Sequence, residues 1–184
     1  YARRVMRQSV KIFISLVVLG LCACSVSHSP RPTSVQLKLL PPADAPEVSL
    51  LKQKITMQSQ GLDQQFVAVL RLQHDQLKLA ALSPTGQQLF FLEYDGEELI
   101  QKNASSVDIP GRDILAIMQF ALWSSSSIQQ YYRKEGGWFV DIAAQQRSLL
   151  TSSGLLLKVT YQDDTVVIEN YRHDYRLKIQ PLEK

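Results

Sequence analysis

From Lys52 to Tyr94 apolar residues recur at every second position, in runs broken by turn-forming residues. Phe66, Ala68, Leu70 and Leu72 fall on one side of an extended chain, with Val67, Val69, Arg71 and Gln73 on the other, which is the period of a strand. His74-Asp75 turns the chain, and Leu77, Leu79 and Ala81 repeat the alternation against Gln76 and Lys78. Ser83-Pro84-Thr85-Gly86 then turns it again. Gln87 to Tyr94 reads as the next strand, Asp95-Gly96 as a turn, Glu97 to Gln101 as a short strand, and Lys52 to Gln60 as an earlier one ended by Gly61. Strands joined by such short connections form an antiparallel meander.

The period changes after Asp108-Ile109-Pro110-Gly111. Asp113 to Trp123 is too long and too rich in Leu, Ala and Met for a strand, and predicts a helix opened by Pro110. A second short helix is predicted from Ile128 to about Arg133, capped by Ser126 or Ser127. Gly136-Gly137 returns the chain to strands over Trp138–Asp141, Arg147–Thr151, Leu155–Gln162, Thr165–Asn170 and Tyr175–Ile179, with turns at Ser153-Gly154 and Asp163-Asp164. Helices that do not alternate with strands exclude a βαβ architecture. The prediction is a mainly β (α+β) domain of about ten antiparallel strands with two helices inserted mid-chain. Leu89 to Leu92 and Leu155 to Leu157 are apolar on both faces, so each face there is expected to be covered. A strongly curved sheet with the helix pair in its concavity meets that demand, and so does a sandwich. Within Asp113–Trp123 only Asp113 and Gln119 are polar. That helix is therefore either buried all round or in contact with a non-aqueous partner.

Charge and cysteine separate a leader from this body. The 184-residue chain carries +3, but Arg3, Arg4, Arg7 and Lys11 lie in its first 23 residues with no acid among them. The remainder has 16 of the 20 Lys and Arg against all 17 Asp and Glu, a net −1, and offers no overall positive field for nucleic acid. Those cations precede an apolar run from Ile12 to Leu21, the n-region and h-region of a secretory signal, with Met6 as a candidate start. A run of ten residues is too short for a membrane span, which needs about 20 apolar residues. Cys22 and Cys24 are the chain's two cysteines, so no disulfide framework or cysteine zinc site is available to the rest. Leu21-Cys22-Ala23-Cys24 resembles the lipobox of bacterial lipoproteins. The resemblance implies cleavage after Ala23, diacylglycerol on the Cys24 sulfur and an acylated new amino terminus. With Ser25 next, it also implies residence on the periplasmic face of the outer membrane. From Ser25 to Pro46 five of the eight prolines and several serines read as an extended tether. The expected organisation is a signal peptide over 1–23, lipidated cysteine and tether over 24–47, and a folded domain over 48–184.

Lipobox, proline tether, meander, two-helix insert and closing meander together resemble the LolA/LolB fold superfamily, and most closely the LolB-like lipoproteins often encoded in aryl-polyene biosynthesis clusters. The best local match is Leu79-Ala80-Ala81-Leu82-Ser83-Pro84-Thr85-Gly86-Gln87-Gln88-Leu89, similar to the LolB hairpin with its Asn-Pro-Leu-Gly turn. The resemblance implies an incomplete β-barrel whose helices form a lid over an apolar cavity for acyl chains. It also implies a membrane-facing turn at Pro84, Thr85 and Gly86. Thr85 stands where LolB carries a protruding leucine, and a threonine there buries less apolar surface in a bilayer, by about 1 to 2 kcal/mol. The groove is expected to be lined by Phe66, Leu70, Leu77, Leu79, Phe90 and Leu92 from the first meander. Ile117 and Met118 from the helix and Leu157, Val159, Tyr175 and Leu177 from the second meander complete it. The implied partners are outer-membrane lipid through the Cys24 acyl chains, an apolar acyl-type ligand and a periplasmic carrier protein. The alternative is a filled scaffold docking an envelope partner through Trp123, Tyr131, Tyr132 and Trp138, aromatics typical of interface anchors.

Enzyme signatures are missing. His28, His74 and His173 are not spaced as a metal motif, and no cofactor loop or nucleophile elbow occurs. Ser124 to Ser127 read as an interhelix linker rather than as partners of His173 and Asp174, and the pairs Glu97-Glu98 and Asp163-Asp164 as solvated turn residues. Extended, Tyr171, His173, Tyr175, Leu177 and Ile179 share one face of a terminal strand. Arg172, Asp174, Arg176 and Lys178 share the other, where cations suit lipid phosphates or simply water.

Overall fold

Alternation of the two halves produces a single antiparallel sheet in the computed structural model, which describes residues 35–47, 50–104 and 110–182. The first half contributes β1 (Leu50–Ser59), β2 (Leu62–Leu72), β3 (Leu77–Leu82), β4 (Gln88–Tyr94) and β5 (Leu99–Asn103). Helices α1 (Gly111–Leu122) and α2 (Ser125–Tyr131) follow. The second half contributes β6 (Phe139–Ala143), β7 (Gln146–Thr151), β8 (Gly154–Gln162), β9 (Thr165–Asn170) and β10 (Tyr175–Pro181). The order is β5-β4-β3-β2-β1-β10-β9-β8-β7-β6, so two meanders are joined at the middle by their first and last strands, with Ile55 opposite Ile179. β5 and β6 are the two edges, and the sheet is not closed. A sandwich is thereby excluded.

Register carries one apolar face across the sheet. Ile55 stands between Phe66 and Ile179, Leu79 between Leu70 and Leu92, and Val159 opposite Ile168. These residues and α1 form one core. Each meander has one irregularity, between Ala81 and Leu82 and between Leu149 and Leu150, where a bulge bends the strand. Gly111 lets the first turn of α1 approach β4: a Cβ there would lie 2.6 Å from Leu92 Cδ2.

Several expectations are corrected. The domain begins before Val48, because Leu37 and Leu40, assigned to the tether, are buried in the core. The second helix starts three residues earlier than predicted and its cap is Ser124, whose Oγ accepts from the Ser127 amide at 3.2 Å. Tyr171 to Asp174 form a turn rather than strand. Asn170 Oδ1 accepts from the Arg172 and His173 amides, and Asp174 has φ 51, so the shared face begins at Tyr175. The helices cover one face of the sheet only. On the other face Phe91, from the doubly apolar run, stays half-buried. Cys22, Cys24 and the predicted leader lie outside the described residues.

Candidate functional site

The expected groove residues do come together. Leu70, Leu77, Leu79, Phe90, Leu92, Leu157, Val159 and Leu177 face Ile117 and Met118 of α1 within one core, with Phe66 and Tyr175 half-buried at its margin. The space between them is filled by their own side chains. A gap beside Ile117, bounded by Leu37, Asp113, Leu157 and Asn170, holds about 10 Å³.

Seven consecutive residues of α1, Leu115 to Ala121, are buried. The helix is thus enclosed all round, the first of the two readings its composition allowed. On the side away from the sheet the cover is the chain before the 3₁₀ turn Pro42–Asp44. Gln119 Nε2 donates to the Leu40 carbonyl at 2.8 Å and its Oε1 accepts from the Leu40 amide at 2.9 Å. Tyr132 does the same for Lys38: its hydroxyl accepts from the amide at 3.1 Å and donates to the carbonyl at 3.0 Å. Two side chains therefore stand in for a neighbouring strand, which is how an extended segment is buried without orphaned peptide groups. Burial holds the Tyr132 phenol far above its ordinary pKa, with the Lys38 backbone only partly opposing the shift.

The C-terminal end of α1 is fastened to the sheet. Arg147 Nη1 donates to the carbonyls of Phe120 at 3.1 Å and Trp123 at 2.6 Å, offsetting the negative end of the helix dipole. Tyr161 donates to the Ala121 carbonyl at 2.8 Å, beneath the Arg147 guanidinium 5.4 Å from its ring centroid. Burial raises the pKa of Tyr161, and Arg147 offsets part of that. At the N-terminal end Asp113 Oδ2 lies 3.6 Å from His173 Nε2 in the β9–β10 turn, and the His173 ring stacks on Tyr175.

The four aromatics of the docking alternative are not exposed anchors. Trp123, Tyr132 and Trp138 are buried, Tyr131 is half-buried, and Phe120, Tyr132 and Trp138 meet edge to face with centroids 5.7 and 5.0 Å apart. Packed aromatics of this kind hold the core together rather than offering it to a partner. Pro84, Thr85 and Gly86 do protrude: all three are exposed, with the Ser83 carbonyl accepting from the Gly86 amide at 2.9 Å and Gly86 at φ +86. Ser124 Oγ is engaged with Ser126, Ser127 and the helix amide, and Arg147 Nη2 donates to Ser125. Among the described residues no group of three or more His, Cys, Asp or Glu is placed to hold a metal ion. No described helix is long and apolar enough to cross a membrane.

Sequence reasoning missed the fastening residues. Gln119 was visible as the lone polar residue in the middle of an apolar helix. Leu37 and Leu40 were hidden by the prolines around them, and nothing local marked Arg147. No curated protein matches the chain. Residues 50–183, which take in all ten strands and both helices, match the family described as protein of unknown function (DUF3261), and the chain belongs to that family.

Proposed function

We propose that the protein is an outer-membrane-anchored periplasmic lipoprotein, LolB-like in architecture, that holds an acyl-containing hydrophobic molecule between α1 and the sheet. The observation that carries the reading is the chemistry of that interface: one apolar sheet face, open at both edges, covered by a helix whose buried side chains are apolar except Gln119. A gap of about 10 Å³ is far below the roughly 300 Å³ or more of a ligand site, so a guest enters by α1 moving outward and riding on it.

Magnitudes favour that exchange. Hydrocarbon replaces hydrocarbon against both α1 and the sheet, so burial of side chains is retained. Among the described residues the polar cost is the longer Asp113 contact to His173 and, if the C-terminal end moves too, the bonds of Gln119 to Leu40, Arg147 to Phe120 and Trp123, and Tyr161 to Ala121. Hydrogen bonds contribute about 0.5 to 1.5 kcal/mol each, so losing them all costs about 2 to 8 kcal/mol. An acyl chain of about 16 carbons gains on the order of 12 kcal/mol at about 0.8 kcal/mol per CH₂.

The test is a chain beginning at Ser25, secreted by an ordinary signal and purified without detergent. Acyl-containing molecules extracted from it, or saturable uptake of a fluorescent fatty-acid probe, support the reading. A folded product with no extractable lipid and no uptake refutes it. Mass spectrometry of the mature amino terminus tests the anchor separately, since an unmodified Cys24 overturns it.

A further inference from the structure

The outer face of β1–β5 carries a pattern that a buried groove does not use. Register sets Lys52, Val69, Ala80, Phe91 and Lys102 in one row across the five strands. At about 4.8 Å per strand that row is ~19 Å long, with an apolar centre and a cation at either end. Val67 and Leu82 pair in the adjoining row beside Lys54, and Arg71 and Lys78 pair on the other side. The five apolar residues are half-buried, while Lys52, Lys54, Arg71 and Lys102 are exposed with no ion-pair partner among the described residues. Glu93, the acid in this ring, is held by Lys78 at 3.3 Å and Gln76 at 2.6 Å. The next acid on the face, Asp63, lies four residues along β2 from Val67, about 13 Å away.

The body from Cys24 onward is net −1, so the five cations of this face, with Glu93 the one acid among them, do not reflect general basicity. We propose that this face docks on an anionic lipid surface. It is a sheet face whose apolar side chains, Phe91 apart, are aliphatic. Long-stemmed lysines around it can lie along the apolar patch while their ammonium groups reach headgroup phosphates. Its composition argues against a protein partner. Lysine is depleted at protein interfaces, and the patch has neither the Trp and Tyr anchors nor the paired arginine forks that such interfaces favour. The inference rests on the anchoring reading only for proximity to a membrane, and is independent of the groove.

The experiment uses the full chain in vesicles of phosphatidylcholine, alone or mixed with phosphatidylglycerol, with amine acetylation read residue by residue by mass spectrometry. Flotation with the vesicles reports anchoring, and the labelling pattern reports docking. A chain that does not float refutes anchoring, and the same labelling is then read with vesicles in excess. Docking slows labelling of Lys52, Lys54 and Lys102 several-fold in the anionic vesicles relative to the neutral ones. Exposed Lys134, outside the sheet, stays unchanged, and high salt removes the difference. Introducing Lys54→Glu with Lys102→Glu abolishes the protection of Lys52. Equal labelling in both vesicles overturns the proposal, as does protection that includes Lys134. Protection seen only when soluble envelope proteins are added to neutral vesicles also overturns it, and assigns the face to an acidic protein.

Discussion

Gln119→Leu isolates the contact on which the cover of the core depends. The substitution keeps the volume and removes both bonds to Leu40, whose amide and carbonyl are then buried among Leu37, α1 and the aromatic cluster without partners. A buried peptide group left unsatisfied costs about 1 to 3 kcal/mol, so the pair costs about 2 to 6. Relief from burying the glutamine amide offsets part of this, leaving about 3 kcal/mol. For a domain of this size that lowers Tm by roughly 6 to 12 °C, and it shifts the urea midpoint without changing the slope. The fluorescence of buried Trp123 and Trp138 reports the transition. Specificity comes from a second background. In a chain beginning at Pro42 the Leu40 peptide groups are gone, and Gln119→Leu becomes neutral or stabilising. A cost below about 1 kcal/mol in the longer chain, or an equal cost in both, refutes the claim that Gln119 acts by satisfying Leu40. Under the proposed function the same variant takes up an apolar probe faster, because the segment over α1 is released.

Alkaline stability tests the buried phenols. Folding raises the pKa of Tyr132 well above its value in the unfolded chain, and burial shifts Tyr94, Tyr161 and Tyr175 the same way. The stabilisation is complete below about pH 10 and is lost as pH rises above it, because the unfolded chain releases protons that the folded chain keeps, at about 1.4 kcal/mol per pH unit for Tyr132, with the other three adding in the same direction. Urea titrations across that window should show the decline, with a shallower slope in Tyr132→Phe. Arg147→Met removes the bonds to the Phe120 and Trp123 carbonyls and is expected to cost about 2 kcal/mol in chemical denaturation, with Arg147→Lys recovering less than half because an ammonium lacks the guanidinium fork. In the Ser25–Lys184 chain, which lacks cysteine, Asp113→Cys with His173→Cys joined by a short thiol cross-linker should block probe uptake by holding the N-terminal end of α1. Uptake unchanged by that cross-link places entry elsewhere.

Strand positions were legible to within about two residues, because local alternation and turn chemistry set them together, except that β2 begins at Leu62, four residues before the Phe66 at which its alternation was read. β9 agrees at both ends: Asp163-Asp164 turns the chain before it, Asp163 taking φ 50, and Asn170 organises the turn after it. Pairing of β1 with β10 was not legible, since it joins segments more than 100 residues apart and every strand offers a similar apolar face. The site was legible as a set of inward residues, because register carries one parity from strand to strand. Whether those residues surround a space or fill it depends on volumes that alternation does not encode. Composition misled at Leu37 and Leu40, where prolines indicated a tether. A proline-rich segment still buries its leucines if side chains such as Gln119 and Tyr132 replace the missing strand partner.

The distribution of polar contacts along α1 bears on how a filled core could serve a binding function. Hydrophobic contact is non-directional, so sliding or tilting the helix over leucines costs little while area is preserved. Directional bonds decide which end stays put. Among the described residues they gather between Gln119 and Trp123, where Leu40, Arg147 and Tyr161 converge. The opposite end meets the β9–β10 turn through Asp113 and His173 at 3.6 Å, a longer contact to a side chain that is 45 % exposed. The small gap beside Ile117 lies at that same end, between Asp113 and Leu157. Under the proposed function this asymmetry among the described contacts makes the Asp113 end the one that moves, whereas a rigid scaffold gains stability from fastening both ends of its central helix. A domain that admits a hydrocarbon chain needs one fixed end to preserve register and one end held by contacts weaker than the chain's own burial.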